Sequence, residues 1–168
     1  YLMRGNHDNP KYWQDRQSAG VLETDFLKLL EDVDLITWRG SKMVSVSGAV
    51  SVDRTCVRYD DGHCWPESEG IPIDAIQQVR MLGNADVLLT HTGIINGMTL
   101  ENDFIDRYAS RDDALIEDIK KERELVRKIQ LASGCKKHYF GHFHQRWEGE
   151  QCGVDARCLD ICEMLQFD

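Results

Sequence analysis

His138-Tyr139-Phe140-Gly141-His142-Phe143-His144 joins an apolar run to two imidazoles, and the fold class follows from how that junction is read. The run reads as a strand. Two imidazoles at i and i+2 just past its end turn toward one point only if the backbone leaves the ladder. Gly141, without a Cβ, permits that departure. Neutral imidazole is the commonest metal-ligating side chain, so the pair is a candidate half of a metal site. Taken alone it reads better as a solvated histidine-rich loop. Two more segments change the balance: Gly5-Asn6-His7-Asp8 and Thr90-His91-Thr92-Gly93 also stand just after apolar runs.

Outward from these corners the pattern is α/β. Residues 1–4 read as a short strand and 11–18 as one or two helical turns. Thr24 is a plausible N-cap for a short helix over 25–30. Residues 35–38 and 43–46 read as strands around the turn Arg39-Gly40-Ser41, a hairpin signal. Pattern is lost from 49 to 71, a polar and aromatic loop long enough to suggest a functional role. A helix is predicted over 72–82 with Ile73, Ile76, Val79 and Met81 inward, then a buried strand over 85–89. Helices over 100–108 and 112–132 follow. The second carries Leu115, Ile119, Val126 and Ile129 at helical spacing. A strand over 136–140 and a terminal pair, 146–150 with 156–161, complete a single α/β domain spanning 1–168. If the strands are neighbours, Asn6, His91 and His142 meet at one ion, with His144 alongside, at the sheet edge where open α/β folds bind ligands.

Composition narrows the classes. The chain has 168 residues and is 42% hydrophobic, and no apolar run approaches a membrane span. A net charge of −9, from 29 acidic and 20 basic residues, argues against sequence-independent nucleic-acid binding. A phosphate-bearing substrate remains compatible if cations supply local positive charge. No signal peptide is visible, and the six cysteines form no Cys-x-x-Cys pair, so a reduced, cytoplasmic chain is expected. A zinc knot from Cys152, Cys158 and Cys162 is the least favoured alternative.

The three loop segments together resemble the calcineurin-like metallophosphoesterases. Gly5-Asn6-His7-Asp8 is similar to that family's Gly-Asn-His-Asp/Glu motif, Thr90-His91 to its single-histidine strand end, and Gly141-His142-Phe143-His144 to its Gly-His-x-His motif, in the family's order. The segment 47–54 followed by Trp65-Pro66-Glu67 also looks like bacterial members. The resemblance implies a layered α/β/β/α sandwich and a hydrolase of phosphomonoesters or phosphodiesters. It further implies a dinuclear centre of manganese, iron or zinc, with a metal-bound hydroxide attacking phosphorus. By the same resemblance Asn6, His91 and His142 ligate one ion and His144 the other. His7 protonates the leaving group or steadies the phosphate, and Asp8 orients His7. Arg54 is carried as a phosphate contact, beside its reading as an ordinary loop cation.

The family's amino-terminal Asp-x-His and Gly-Asp motifs are not found in these residues, and Tyr1-Leu2-Met3 reads as the tail of a strand already under way. The sandwich is therefore expected without its first strands, with one ion in place of two and weak or no activity without an upstream segment. The substrate class implied is a phosphorylated small molecule, nucleotide or phosphoprotein. A strand over 1–4 at an exposed edge would pair with that upstream segment or with a second copy in a homodimer. The alternative is a non-catalytic relative that binds a single ion or serves as an interaction module.

Overall fold

The computed structural model describes residues 1–19, 25–55, 69–94 and 103–166. In chain order these form α1 (Pro10–Ser18), β1 (Val33–Trp38), β2 (Ser41–Val46), α2 (Ala75–Leu82), β3 (Val87–Thr90), α3 (Asp103–Ala109), α4 (Leu115–Ser133), β4 (Lys137–Phe140), β5 (Trp147–Gln151) and β6 (Val154–Cys158). Among the described residues the fold is thus mixed α/β, with four helices and one six-stranded sheet of order β1-β2-β3-β4-β6-β5.

Strands β2, β3, β4 and β6 run parallel, and β1 and β5 close the two edges as antiparallel hairpin partners. Parallel neighbours need a crossover; helices supply it for two pairs, with α2 between β2 and β3 and α3 and α4 between β3 and β4, and β5 supplies it between β4 and β6. The β1–β2 hairpin turns on Arg39 and Gly40 at φ 48° and 85°. Positive φ at both central residues is the two-residue turn whose twist matches that of the strands.

Alternation along each strand sorts the core. Val33, Val44, Val46 and Leu88 face one way and pack on Ala75 and Val79 of α2 and Ile129 of α4. Ile36, Met43 and Val87 face the other way, against Leu30, with Met3, Leu89 and Tyr139 around them. Fully burying one such side chain contributes about 1.5–3 kcal/mol. On α4 the predicted stripe, Leu115, Ile119, Val126 and Ile129, is buried, and Gly134 ends the helix in the left-handed region at φ 59°.

Several expectations are corrected. Residues 1–4 do not form a strand: Leu2 makes a single parallel bridge to Leu29, its N–H donating to Lys28 O at 2.8 Å and its carbonyl accepting from Leu30 N at 2.9 Å. Three apolar residues are too few for period two to specify a ladder, and the sheet edges are β1 and β5 instead. Residues 25–30 are not a helix, because that same pairing draws Leu29 and Leu30 into the core and leaves Phe26 97% exposed. Helix α2 starts only at Ala75, and Ile73 and Met81 face solvent, since the buried stripe runs through Ala75, Ile76, Val79 and Leu82. Thr24, Trp65, Cys56, Cys64 and Leu100 lie outside the described residues.

Among the described residues no helix is long and apolar enough to cross a membrane. Cys135, Cys152, Cys158 and Cys162 are free thiols, and the last three do not gather into a metal-holding group.

Candidate functional site

Register brings the corners together. Val46, Thr90 and Phe140, the last residues of β2, β3 and β4, stand level in the sheet. The ladder continues past their ends: His91 N–H donates to Val46 O at 3.3 Å and Gly141 N–H to His91 O at 3.0 Å. The loops after β3 and β4 therefore leave side by side. The amino-terminal loop arrives through Arg4, whose carbonyl accepts from Gly48 N at 3.1 Å. Arg4 is buried, and its guanidinium is held by Asp32 at 2.9 Å and by the Glu69 carbonyl at 3.2 Å. Gly48 sits at φ 92°, where a Cβ would stand 2.3 Å from the Gly70 carbonyl oxygen, so only glycine lets these chains meet.

The result is one cavity of about 1030 Å³ whose wall includes Asn6, His7, Asp8, Asp53, His91, His142 and His144. All four ligand candidates and both catalytic candidates are thus on one surface. The His91 and His142 rings lie 5.2 Å apart at 66°, and His91 Nε2 is 2.8 Å from Asn6 Oδ1. Burial drives the His91 pKa down to about 4, against the pull of Asp8. Burial likewise takes His142 to about 3, helped by His91, His7 and His144 and opposed by Asp53. Both rings are therefore neutral at pH 7, the form that donates a lone pair to a metal.

The turn at 141–144 is made differently from expectation. Gly141 is not in the left-handed region; His142 and His144 are, at φ 70° and 52°. Each such non-glycine residue costs about 1–2 kcal/mol, and strain of this kind clusters at functional sites. Glycine matters instead at position 5, where a Cβ would lie 2.9 Å from His91 Cε1. Gly5→Ala is expected to push the ring off Asn6 and to lower stability by roughly 1–3 kcal/mol, as overpacking does. A denaturant melt with histidine NMR checks both effects.

Asp8 Oδ2 accepts the Gly5 N–H at 2.7 Å, closing the loop that carries His7. Arg54 is not part of the cavity wall. Its guanidinium is engaged by Asp112 at 2.6 Å and Asp118 at 2.8 Å, and Asp112 also accepts from Ala114 N at the start of α4. That pairing raises the Arg54 pKa and holds both carboxyls below their usual range. Arg54→Ala is expected to lower stability by roughly 1–3 kcal/mol, the value of the hydrogen bonds to charged groups that it removes. Cation affinity should be unchanged; a selective rise in KM for a phosphoester would restore Arg54 as a substrate contact.

Other polar groups here carried no assigned role in the sequence. Glu122 of α4 is buried on the cavity wall, its Oε1 accepting Val50 N–H at 2.6 Å. Burial, reinforced by Glu69, raises its pKa to about 8. Ser51 and Glu69 are buried behind Asn6. His138, also fully buried, contacts Thr90 Oγ1 at 2.7 Å and stands behind the cavity wall without lining it.

Two imidazole nitrogens and an amide oxygen suit a single borderline divalent ion. The 2.8 Å between Asn6 Oδ1 and His91 Nε2 is close to the roughly 3 Å separating adjacent ligands whose bonds to one ion are about 2.1 Å. The donors do not fit a closed two-ion centre: among the described residues no three His, Cys, Asp or Glu side chains are grouped to hold a metal. No known protein-family model matches the sequence, and no curated protein does.

Proposed function

We propose that this cavity is the site of a metal-dependent phosphoester hydrolase, and that the sheet belongs to an α/β/β/α layering like that of the calcineurin-like metallophosphoesterases. The observation that carries the reading is the meeting of Asn6, His91 and His142, from three separate loops, with both imidazoles neutral. These three would hold the ion, with His144 further out on the same wall. When bound, a divalent cation supplies the positive charge that a phosphoester's transition state requires. His7, exposed on the wall, would donate a proton to a leaving oxygen or contact the phosphate. Asp8 fixes His7 by tying its loop to Gly5. The substrate class is a phosphomonoester or phosphodiester, whether a nucleotide, a small molecule or a phosphopeptide.

A second reading, a non-catalytic single-ion site or interaction module, is favoured by the lack of a three-ligand His/Cys/Asp/Glu group among the described residues. Calorimetric titration with Mn²⁺, followed by turnover of bis-nitrophenyl phosphate, separates the two. The hydrolase predicts binding plus turnover, and His7→Ala should retain the ion while losing about 10²–10⁴ in rate. Binding without turnover selects the second reading, and no binding removes both.

A further inference from the structure

The hydrogen-bond chain that ends at His91 begins at a carboxylate outside the cavity wall. Glu69, 1% exposed, takes the Ser51 N–H on Oε1 at 3.1 Å and the Ser51 hydroxyl on Oε2 at 3.0 Å. Ser51 Oγ accepts from Asn6 Nδ2 at 2.6 Å, and Asn6 Oδ1 meets His91 Nε2 at 2.8 Å. Ser51 and Asn6 are 1% and 3% exposed, so water does not compete for these groups. Neither Glu69 nor Ser51 reaches the cavity.

A hydroxyl has one proton. With that proton given to Glu69 Oε2, the Ser51 oxygen can only accept, so Asn6 must present its NH₂ to it. The amide oxygen is then left to face His91. Reversing the amide would set its carbonyl against the serine lone pairs, and buried groups so mismatched lose the full value of their hydrogen bonds. An amide oxygen accepts only, so in the metal-free chain the ring nitrogen opposite it carries the proton and the lone pair of the neutral ring lies on Nδ1. A cation held between Oδ1 and Nε2 would take that proton's place, the neutral ring then carrying its proton on Nδ1.

We infer that Glu69, acting through Ser51, is a positioning residue that locks the Asn6 carboxamide with its oxygen on the His91 side and so fixes the His91 tautomer. The consequence for a cation rests on the hydrolase reading above, because an oxygen there attracts a cation and an NH₂ repels it. The relay itself does not rest on that reading.

The test uses the whole chain without metal. Long-range ¹H–¹⁵N spectra should show His91 as the Nε2–H tautomer. Ser51→Ala and Glu69→Gln, each of which frees Asn6 to rotate, should give a mixture of tautomers, and Ser51→Thr, which keeps the hydroxyl, should restore one. An Nδ1–H tautomer in the unmodified protein overturns the inference. So does an unchanged Nε2–H tautomer in Ser51→Ala, which keeps the question decided even if Glu69→Gln does not fold. In a second arm, Ser51→Ala should weaken Mn²⁺ binding by about tenfold, the lower range for losing an outer partner of a metal ligand. If the unmodified protein binds no Mn²⁺, the hydrolase reading falls and the tautomer result still stands for or against the relay.

Discussion

His142→Gly and His142→Ala are expected to lose cation binding equally while differing in stability. His142 holds φ 70°, a conformation that costs a non-glycine residue about 1–2 kcal/mol and glycine almost nothing. Glycine also has more unfolded-state entropy to lose, about 0.5–1 kcal/mol relative to alanine. The glycine variant should therefore be the more stable of the two by up to about 1.5 kcal/mol. Both remove one of only two imidazoles of the trio, so Mn²⁺ affinity should fall by more than about 100-fold, beyond what loss of a mere outer partner costs. Phosphodiester turnover should fall with it. Thermal melts and calorimetry on the two variants make the comparison. Affinity that survives in both would remove the ion from this cavity, and equal stability would mean that the left-handed backbone at 142 is not retained in solution.

The parts of this arrangement that were legible in the sequence are those carried by periodicity. Leu115, Ile119, Val126 and Ile129 recur on one face of α4, and the apolar runs ending at Thr90 and Phe140 mark buried strands. Because two of the polar corners follow such runs, parallel register brings His91 and His142 together, while Asn6 joins them through the bond from Gly48 N–H to the Arg4 carbonyl. Where two patterns competed, tertiary pairing decided. Phe26, Leu29 and Leu30 have helical spacing, yet the bridge to Leu2 holds that segment extended. Glu122 was legible and passed over: it falls three residues after Ile119 and four before Val126, inside the apolar stripe. A carboxylate at that phase must be buried. The link from Glu69 to Ser51 spans 18 positions with no periodic signal, so only the folded chain reveals it. The left-handed backbone at His142 and His144 leaves no compositional trace either, since the residue suited to it, Gly141, is adjacent and does not use it.

Glu122→Gln is expected to flatten the alkaline half of the protein's pH–stability profile. In the fold the Glu122 carboxyl is raised from its ordinary 4.5 to about 8, chiefly by burial. A carboxyl raised in this way stabilises the fold fully below the unfolded value, and that contribution is lost as pH rises through about 8. Between those limits the loss is about 1.4 kcal/mol per pH unit, a few kcal/mol in all. Three histidines act in the opposite direction: His91, His138 and His142 lie well below their ordinary 6.5, so their contribution is complete above 6.5 and disappears on acidification. Taken together, these four groups place maximal stability near pH 6.5, with a histidine-driven fall on the acid side and a Glu122-driven fall on the alkaline side. Glutamine keeps an oxygen for the Val50 N–H and has no proton to lose. Its profile should run parallel to the unmodified protein's only below pH 4.5, climb more steeply from there to 6.5 because no Glu122 loss offsets the histidine gain, and stay level from pH 6.5 to 8.5. Urea melts at pH 5.5, 6.5, 7.5 and 8.5 decide the matter, and parallel curves for the two proteins above pH 6.5 would mean that Glu122 is already ionised in its buried position.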